Sequence, residues 1–137
     1  MKSLVLFVLV LAGSAAASFK ECPRLRGHYF CEGVAGSHKD MNMIITEAFA
    51  SGRATYYYLY EQKGEPAEEL RFLASDQGER NPDLDGMIGR CAKGYYFNSA
   101  DGRPNAKTLL NYVNRQGDYE VIYYKDGSLF LRCRRTR

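Results

Sequence analysis

In the stretch Val121-Ile122-Tyr123-Tyr124-Lys125-Asp126-Gly127-Ser128-Leu129-Phe130-Leu131-Arg132-Cys133, two β-type runs flank a dipeptide that reverses a chain. Val, Ile, Tyr and Phe suit a pleated, half-buried surface, because their branched or ring side chains pack well against neighbours on a sheet. Asp-Gly accepts the positive φ angles that a tight hairpin demands. The reading is a hairpin, Val121–Lys125 against Ser128–Cys133, turned by Asp126-Gly127. Just upstream, Arg115-Gln116-Gly117-Asp118 turns a second pair, so Lys107–Asn114, Gly117–Lys125 and Ser128–Arg134 run as a meander.

Working outward, the same punctuation by Gly, Asp, Asn and Pro recurs to the start of the chain. It delimits strands near Gly27–Gly33, Met41–Ala48, Arg53–Glu61, Glu69–Ser75 and Met87–Asn98. Two segments break the pattern. Glu65-Pro66-Ala67-Glu68-Glu69-Leu70 has Pro where a helix accepts it and acids in the first turn, and Pro104-Asn105-Ala106-Lys107 has a similar start, so each leaves a turn or two of helix open beside the strand reading. About eight short antiparallel strands describe an all-β domain, most simply a small closed barrel, since closure removes exposed edges. A β-sandwich is the alternative arrangement.

The cysteines bear on closure. Cys22, Cys31, Cys91 and Cys133 are all four that the chain has. An even count in an exported protein reads as disulfides, and none of the gaps has the short spacing of a zinc site. Spacing alone leaves three pairings open. Closing the barrel places the first strand beside the last, which favours Cys31 with Cys133 and therefore Cys22 with Cys91.

Export is the reading of residues 1–17. Lys2 supplies a positive start, Leu4 to Ala12 an apolar run, and Ala15 and Ala17 the small residues of a cleavage site. Nine apolar residues are too few to span a bilayer, where about 20 are needed, and Leu11-Ala12-Gly13-Ser14 lacks the cysteine of a lipid anchor. The expectation is a cleaved signal peptide at 1–17 and one barrel domain at 18–137, placed in a bacterial periplasm or secreted. Lys and Arg number 19 against 16 Asp and Glu, a net charge of +3. That is too mild to imply nucleic acid or an anionic membrane. Arg132, Arg134, Arg135 and Arg137 crowd the C-terminal end and read as solvated guards of an apolar strand, with a basic tip for an acidic partner as the other option.

The conspicuous residue is tyrosine: 11 Tyr and 7 Phe with no Trp. Tyr56, Tyr58 and Tyr60 alternate along one strand and so share a face. Rings with hydroxyls at a barrel mouth can hold a small ligand, and these three are the candidate ligand-binding residues. Asn81-Pro82-Asp83-Leu84-Asp85-Gly86 opens like a calcium loop, but its twelfth position is Ala92 rather than a carboxylate. No metal or cofactor is expected. His28 and His38 have no visible partners, no Gly-x-Ser-x-Gly elbow or phosphate loop occurs, and the expectation is a protein that is not an enzyme.

Tyr29-Phe30-Cys31-Glu32-Gly33 and Leu131-Arg132-Cys133 resemble the first and last strands of small exported bacterial barrels that inhibit lysozyme. The Ser-Gly-x-x-Tyr and Trp-Lys-Gly segments of those inhibitors have no counterpart, so no inhibitory residue carries over. Leu25-Arg26-Gly27-His28-Tyr29 is similar to the lipocalin opening, with Tyr29 in place of its Trp. Both likenesses imply an eight-stranded barrel. The expected function is a non-catalytic, monomeric binding module that takes a small apolar ligand in or at the mouth of the barrel. The alternative is a protein-binding module, such as an inhibitor of a lysozyme-like or other extracellular enzyme.

Overall fold

The structure is a computed structural model that describes residues 22–33 and 40–137. The leader expected at 1–17 and His38 lie outside the described residues. Ten strands form one sheet: β1 Gly27–Cys31, β2 Met41–Ala50, β3 Arg53–Gln62, β4 Glu68–Ser75, β5 Glu79–Asn81, β6 Met87–Ala92, β7 Tyr95–Ser99, β8 Leu109–Val113, β9 Tyr119–Tyr123 and β10 Leu129–Arg135. Neighbours run β4-β3-β2-β1-β10-β9-β8-β7-β6-β5. The first strand pairs with the last, Cys31 opposite Cys133, and β4 meets β6 in parallel at Ser75 and Arg90. Those two pairings close nine strands into a mixed barrel, with β5 as an extra strand on β6. The sandwich alternative is thereby excluded.

Period-two alternation sorts each strand into an inner and an outer face. Tyr29, Cys31, Met43, Ile45, Tyr56, Tyr58, Ala74, Cys91, Tyr96, Tyr119, Val121 and Cys133 are all buried and form one core. Both disulfides form as expected, Cys31 with Cys133 and Cys22 with Cys91. They are compatible with an oxidising, exported compartment. Among the described residues no helix is long and apolar enough to cross a membrane.

Four expectations need correction. The run Met87–Asn98 is two strands, β6 and β7, folded at Lys93-Gly94 with Ala92 opposite Tyr95. Both turn residues have positive φ, 55° and 81°, as a type I′ hairpin requires. Lysine is not a turn former by type, which hid the break. The second correction is β5, whose Glu-Arg-Asn sequence reads as loop but pairs with β6 through Gly89, Ile88 and Met87. Third, the helical option left open at two segments is not taken up at either. Glu68 to Leu70 joins β4 opposite Tyr60 to Tyr58, because pairing with a long tyrosine-rich strand outweighs a local preference. Residues Pro104 to Lys107 form a turn, and among the described residues the one helical piece is the 3-10 turn Pro82–Leu84. Last, the hairpin quoted at the outset is wider than two residues: the Gly127 N–H donates to the Tyr123 carbonyl at 2.8 Å, and Tyr123 N–H donates to Ser128 at 2.9 Å.

The seam between β4 and the strands that follow is closed by a side chain. The Leu73 N–H donates to Asn81 Oδ1 at 2.6 Å, and Asn81 Nδ2 donates back to the Leu73 carbonyl at 2.9 Å. This amide therefore imitates the paired backbone bonds of a neighbouring strand. Gly89 permits the approach, since a Cβ there would lie 1.9 Å from the Leu73 carbonyl oxygen.

One end of the barrel is plugged by residues 22–26. Leu25 is fully buried, Tyr29 donates its hydroxyl to the Leu25 carbonyl at 2.7 Å, and Tyr56 donates to the Pro23 carbonyl at 2.7 Å. Arg24 lies over the Phe49 ring, and Cys22 ties the segment to β6.

Candidate functional site

Antiparallel alternation puts the starts of β2, β4, β6, β8 and β10 at the end opposite the plug. There the inner faces of β6 to β10 leave an open cavity of about 360 Å³, lined by Met87, Asn98, Lys107, Thr108, Leu109, Asn111, Val121 and Phe130. Met87, Asn98, Leu109, Asn111 and Val121 share the inner face by register with Cys91, Tyr96 and Tyr119. Phe130 reaches the lip because the ladder between β10 and β9 slips between Leu129 and Leu131. A bulge of this kind re-aims one side chain at the rim of a barrel. Met87 and Phe130 are each more than a third exposed there.

The floor is polar and held from below. Tyr58 donates its hydroxyl to that of Tyr119 at 3.2 Å, because the Tyr119 proton is already committed to Asn111 Oδ1 at 2.5 Å. Asn111 Nδ2 donates to the Tyr96 carbonyl at 2.9 Å. Asn98 Nδ2 donates to the Tyr96 hydroxyl, and Asn98 Oδ1 accepts from Asn81 Nδ2 at 3.2 Å. An amide offers two N–H donors and an oxygen with two lone pairs. These bonds engage one N–H and one lone pair on each floor amide, so each keeps one donor and one acceptor for the cavity. Burial pushes the Tyr58, Tyr96 and Tyr119 phenols well above their usual range, so they remain neutral dipoles under the floor.

The three tyrosines singled out in the sequence lie at different levels of the barrel. Tyr58 lies beneath the floor. Tyr60 lies near the mouth end of β3, its ring 5.9 Å from that of Tyr58, and burial raises its pKa, with Glu68 adding to the effect. Tyr56 is fully buried towards the plug, with its hydroxyl on Pro23. The floor amides Asn98 and Asn111 went unnoticed in the sequence. The signal was available in register form, since each is a lone Asn in an otherwise apolar, inward-facing alternation.

Other sequence candidates are occupied elsewhere. Asp83 pairs with Arg71 at 3.8 Å, and Asp85 is a left-handed cap to the 3-10 turn. Among the described residues no three of His, Cys, Asp and Glu gather as a metal site. His28 pairs with Ile44 in β1 and β2. Arg132 donates to Glu120 at 2.5 Å, Arg134 lies over the Phe30 ring, and Arg135 caps the Arg137 carbonyl. Glu120 also accepts from Tyr112, which raises that phenol to about 12. Burial pushes the Glu120 carboxyl up, but hydrogen bonds with Tyr112, Arg132 and Asn114 and the Arg132 charge together outweigh it and hold it below its usual range.

Fold and cavity together define a small, disulfide-stapled β-barrel that, among the described residues, is plugged at one end and open at the other. No protein-family model, no curated protein and no solved structure matches the chain.

Proposed function

We propose that this protein is an exported, non-catalytic binding module that takes a small ligand at the mouth of its barrel. The open cavity over Asn98 and Asn111 carries the reading. Its walls set Met87, Leu109, Val121 and Phe130 beside Lys107 and Thr108, its floor offers two preset amide donor–acceptor pairs, and its volume falls within the range of small-molecule sites. A compact, mainly apolar molecule with one hydrogen-bonding head fits that chemistry. Among the described residues no acid lines the cavity, and Lys107 at the rim disfavours a cationic head by repulsion. Export to a periplasm or the medium accords with residues 1–17 and with the two disulfides, and the module acts as a monomer.

The test is native mass spectrometry of the protein purified from its own exporting cell, beside the Phe130→Asp variant. The expected result is an added mass of a few hundred daltons on the wild type, lost on denaturation and missing from the variant. A wild-type chain that carries no adduct overturns the reading. A second reading, a protein-binding module such as an enzyme inhibitor, draws on the β9–β10 hairpin tip, where Tyr124 is 50 % exposed and Leu129 49 % exposed. Large apolar side chains on a hairpin tip are suited to burial against a partner. Loss of partner binding in Leu129→Asp with Phe130→Asp unaffected would select it.

A further inference from the structure

The outer wall of the barrel carries a second concavity that the mouth does not explain. Phe97, Leu110 and Ile122 share the outer face of β7, β8 and β9, by register with Arg90 on β6. Chain after β7 folds back over this wall, and Arg90 holds it there. Its Nη1 donates to the Gly102 carbonyl at 3.3 Å and its Nε to the Asp76 carbonyl at 2.9 Å. Between wall and overlying loop lies a groove of about 320 Å³, floored by Phe97 and Leu110 and walled by Tyr95, Pro104 and Tyr124, with Arg90 and Lys93 at its edge. Phe97 is only 3 % exposed, whereas Tyr124 is half exposed, so the groove runs from a dry floor to an open ring.

We infer that this groove binds a flat, apolar carboxylate, with the ring or chain between Tyr95, Pro104 and Tyr124 and the carboxylate on Arg90. Three observations on charge and shape select that class. Among the described residues that line the groove none is acidic, and Arg90 brings a guanidinium to its edge. Arg90 is held by two carbonyls, so little side-chain freedom remains to be lost on binding, and three of its five N–H donors are left over for an anion. The walls are rings and a proline, which accept a flat apolar body by stacking.

The probe is 3-phenylpropanoate, titrated into the uniformly nitrogen-15-labelled protein and followed by amide shifts. Its neutral amide, 3-phenylpropanamide, and its cationic analogue, 3-phenylpropylamine, are run in parallel. The expected result is saturable shifts at residues 90–97, 110 and 124 with the carboxylate, and at least tenfold weaker binding of the other two. Leu110→Glu, which places a negative charge on the floor, should weaken the carboxylate at least tenfold. Tyr124→Asp, on a half-exposed site, does the same duty if Leu110→Glu fails to fold. Equal binding of all three probes overturns the inference, as do shifts confined to the mouth or undiminished affinity in the folded variant. The groove and the mouth share no lining residue, so either can fail without the other.

Discussion

At the scale of single residues, the closure of this barrel rests on an amide and a missing side chain. Asn81 gives β4 the two hydrogen bonds that a strand would have given, and Gly89 leaves room for them. Asn81→Ala removes both bonds and leaves the Leu73 N–H and carbonyl without those partners, a loss of about 1–3 kcal/mol. Gly89→Ala drives a methyl into the Leu73 carbonyl, and a well-packed seam resists such overpacking by up to about 3 kcal/mol. Urea unfolding of both variants measures these effects. Unchanged midpoints would mean that the seam contributes nothing. The seam was not legible in the sequence, where Asn81 sat at the head of a calcium-like loop and Gly89 was one glycine among 13. A side chain that stands in for backbone leaves no periodic trace. Tyr56, Tyr58 and Tyr60 were legible as one face of a strand, but a shared face does not tell which end of a barrel each hydroxyl reaches.

At the scale of elements, the hairpins were legible wherever turn chemistry was of a recognised type. The strands at Gly27, Met41, Arg53 and the C-terminal meander lie close to where alternation put them. Lys93-Gly94 was missed because a lysine at φ 55° is an adopted strain rather than a preference. Ser51-Gly52 poses the same problem between β2 and β3, with φ 54° and 72°. Asn tolerates that left-handed region better than Ser, and Asn-Gly is the favoured pair for this turn. Ser51→Asn should therefore stabilise the protein by up to about 1 kcal/mol, read as a rise in the thermal midpoint. A fall would show that the β2–β3 turn departs from type I′ in solution.

At the scale of the whole molecule, closure and the disulfides reinforce one another. Cys31 and Cys133 are 102 residues apart in sequence, and in the chain-entropy model a loop of about 100 residues is worth roughly 4–5 kcal/mol. The double variant Cys31→Ala with Cys133→Ala should lose about that much in denaturant unfolding, far more than the surface turns can. The tyrosine-filled interior sets a second global property. Tyr29, Tyr56, Tyr58, Tyr60, Tyr96 and Tyr119 all have raised pKa values, chiefly because burial disfavours the phenolate. For such groups stability is full below the unfolded value of 10.0 and is lost as pH climbs from there towards the folded values. The expectation is a cooperative alkaline unfolding, in which tyrosinate absorbance and loss of circular dichroism rise together above pH 10. Phenolate formation well below the unfolding transition, at these positions, would contradict a dry interior.

The plug formed by residues 22–26 has a kinetic corollary. A vessel stoppered at its base has a single doorway, so whatever the mouth admits must depart along the path by which it arrived. A change at the rim that touches only passing molecules, and no residue of the cavity lining, then slows arrival and departure by the same factor. Dwell time lengthens, equilibrium occupancy stays where it was, and the two are separable by stopped-flow exchange against a static titration.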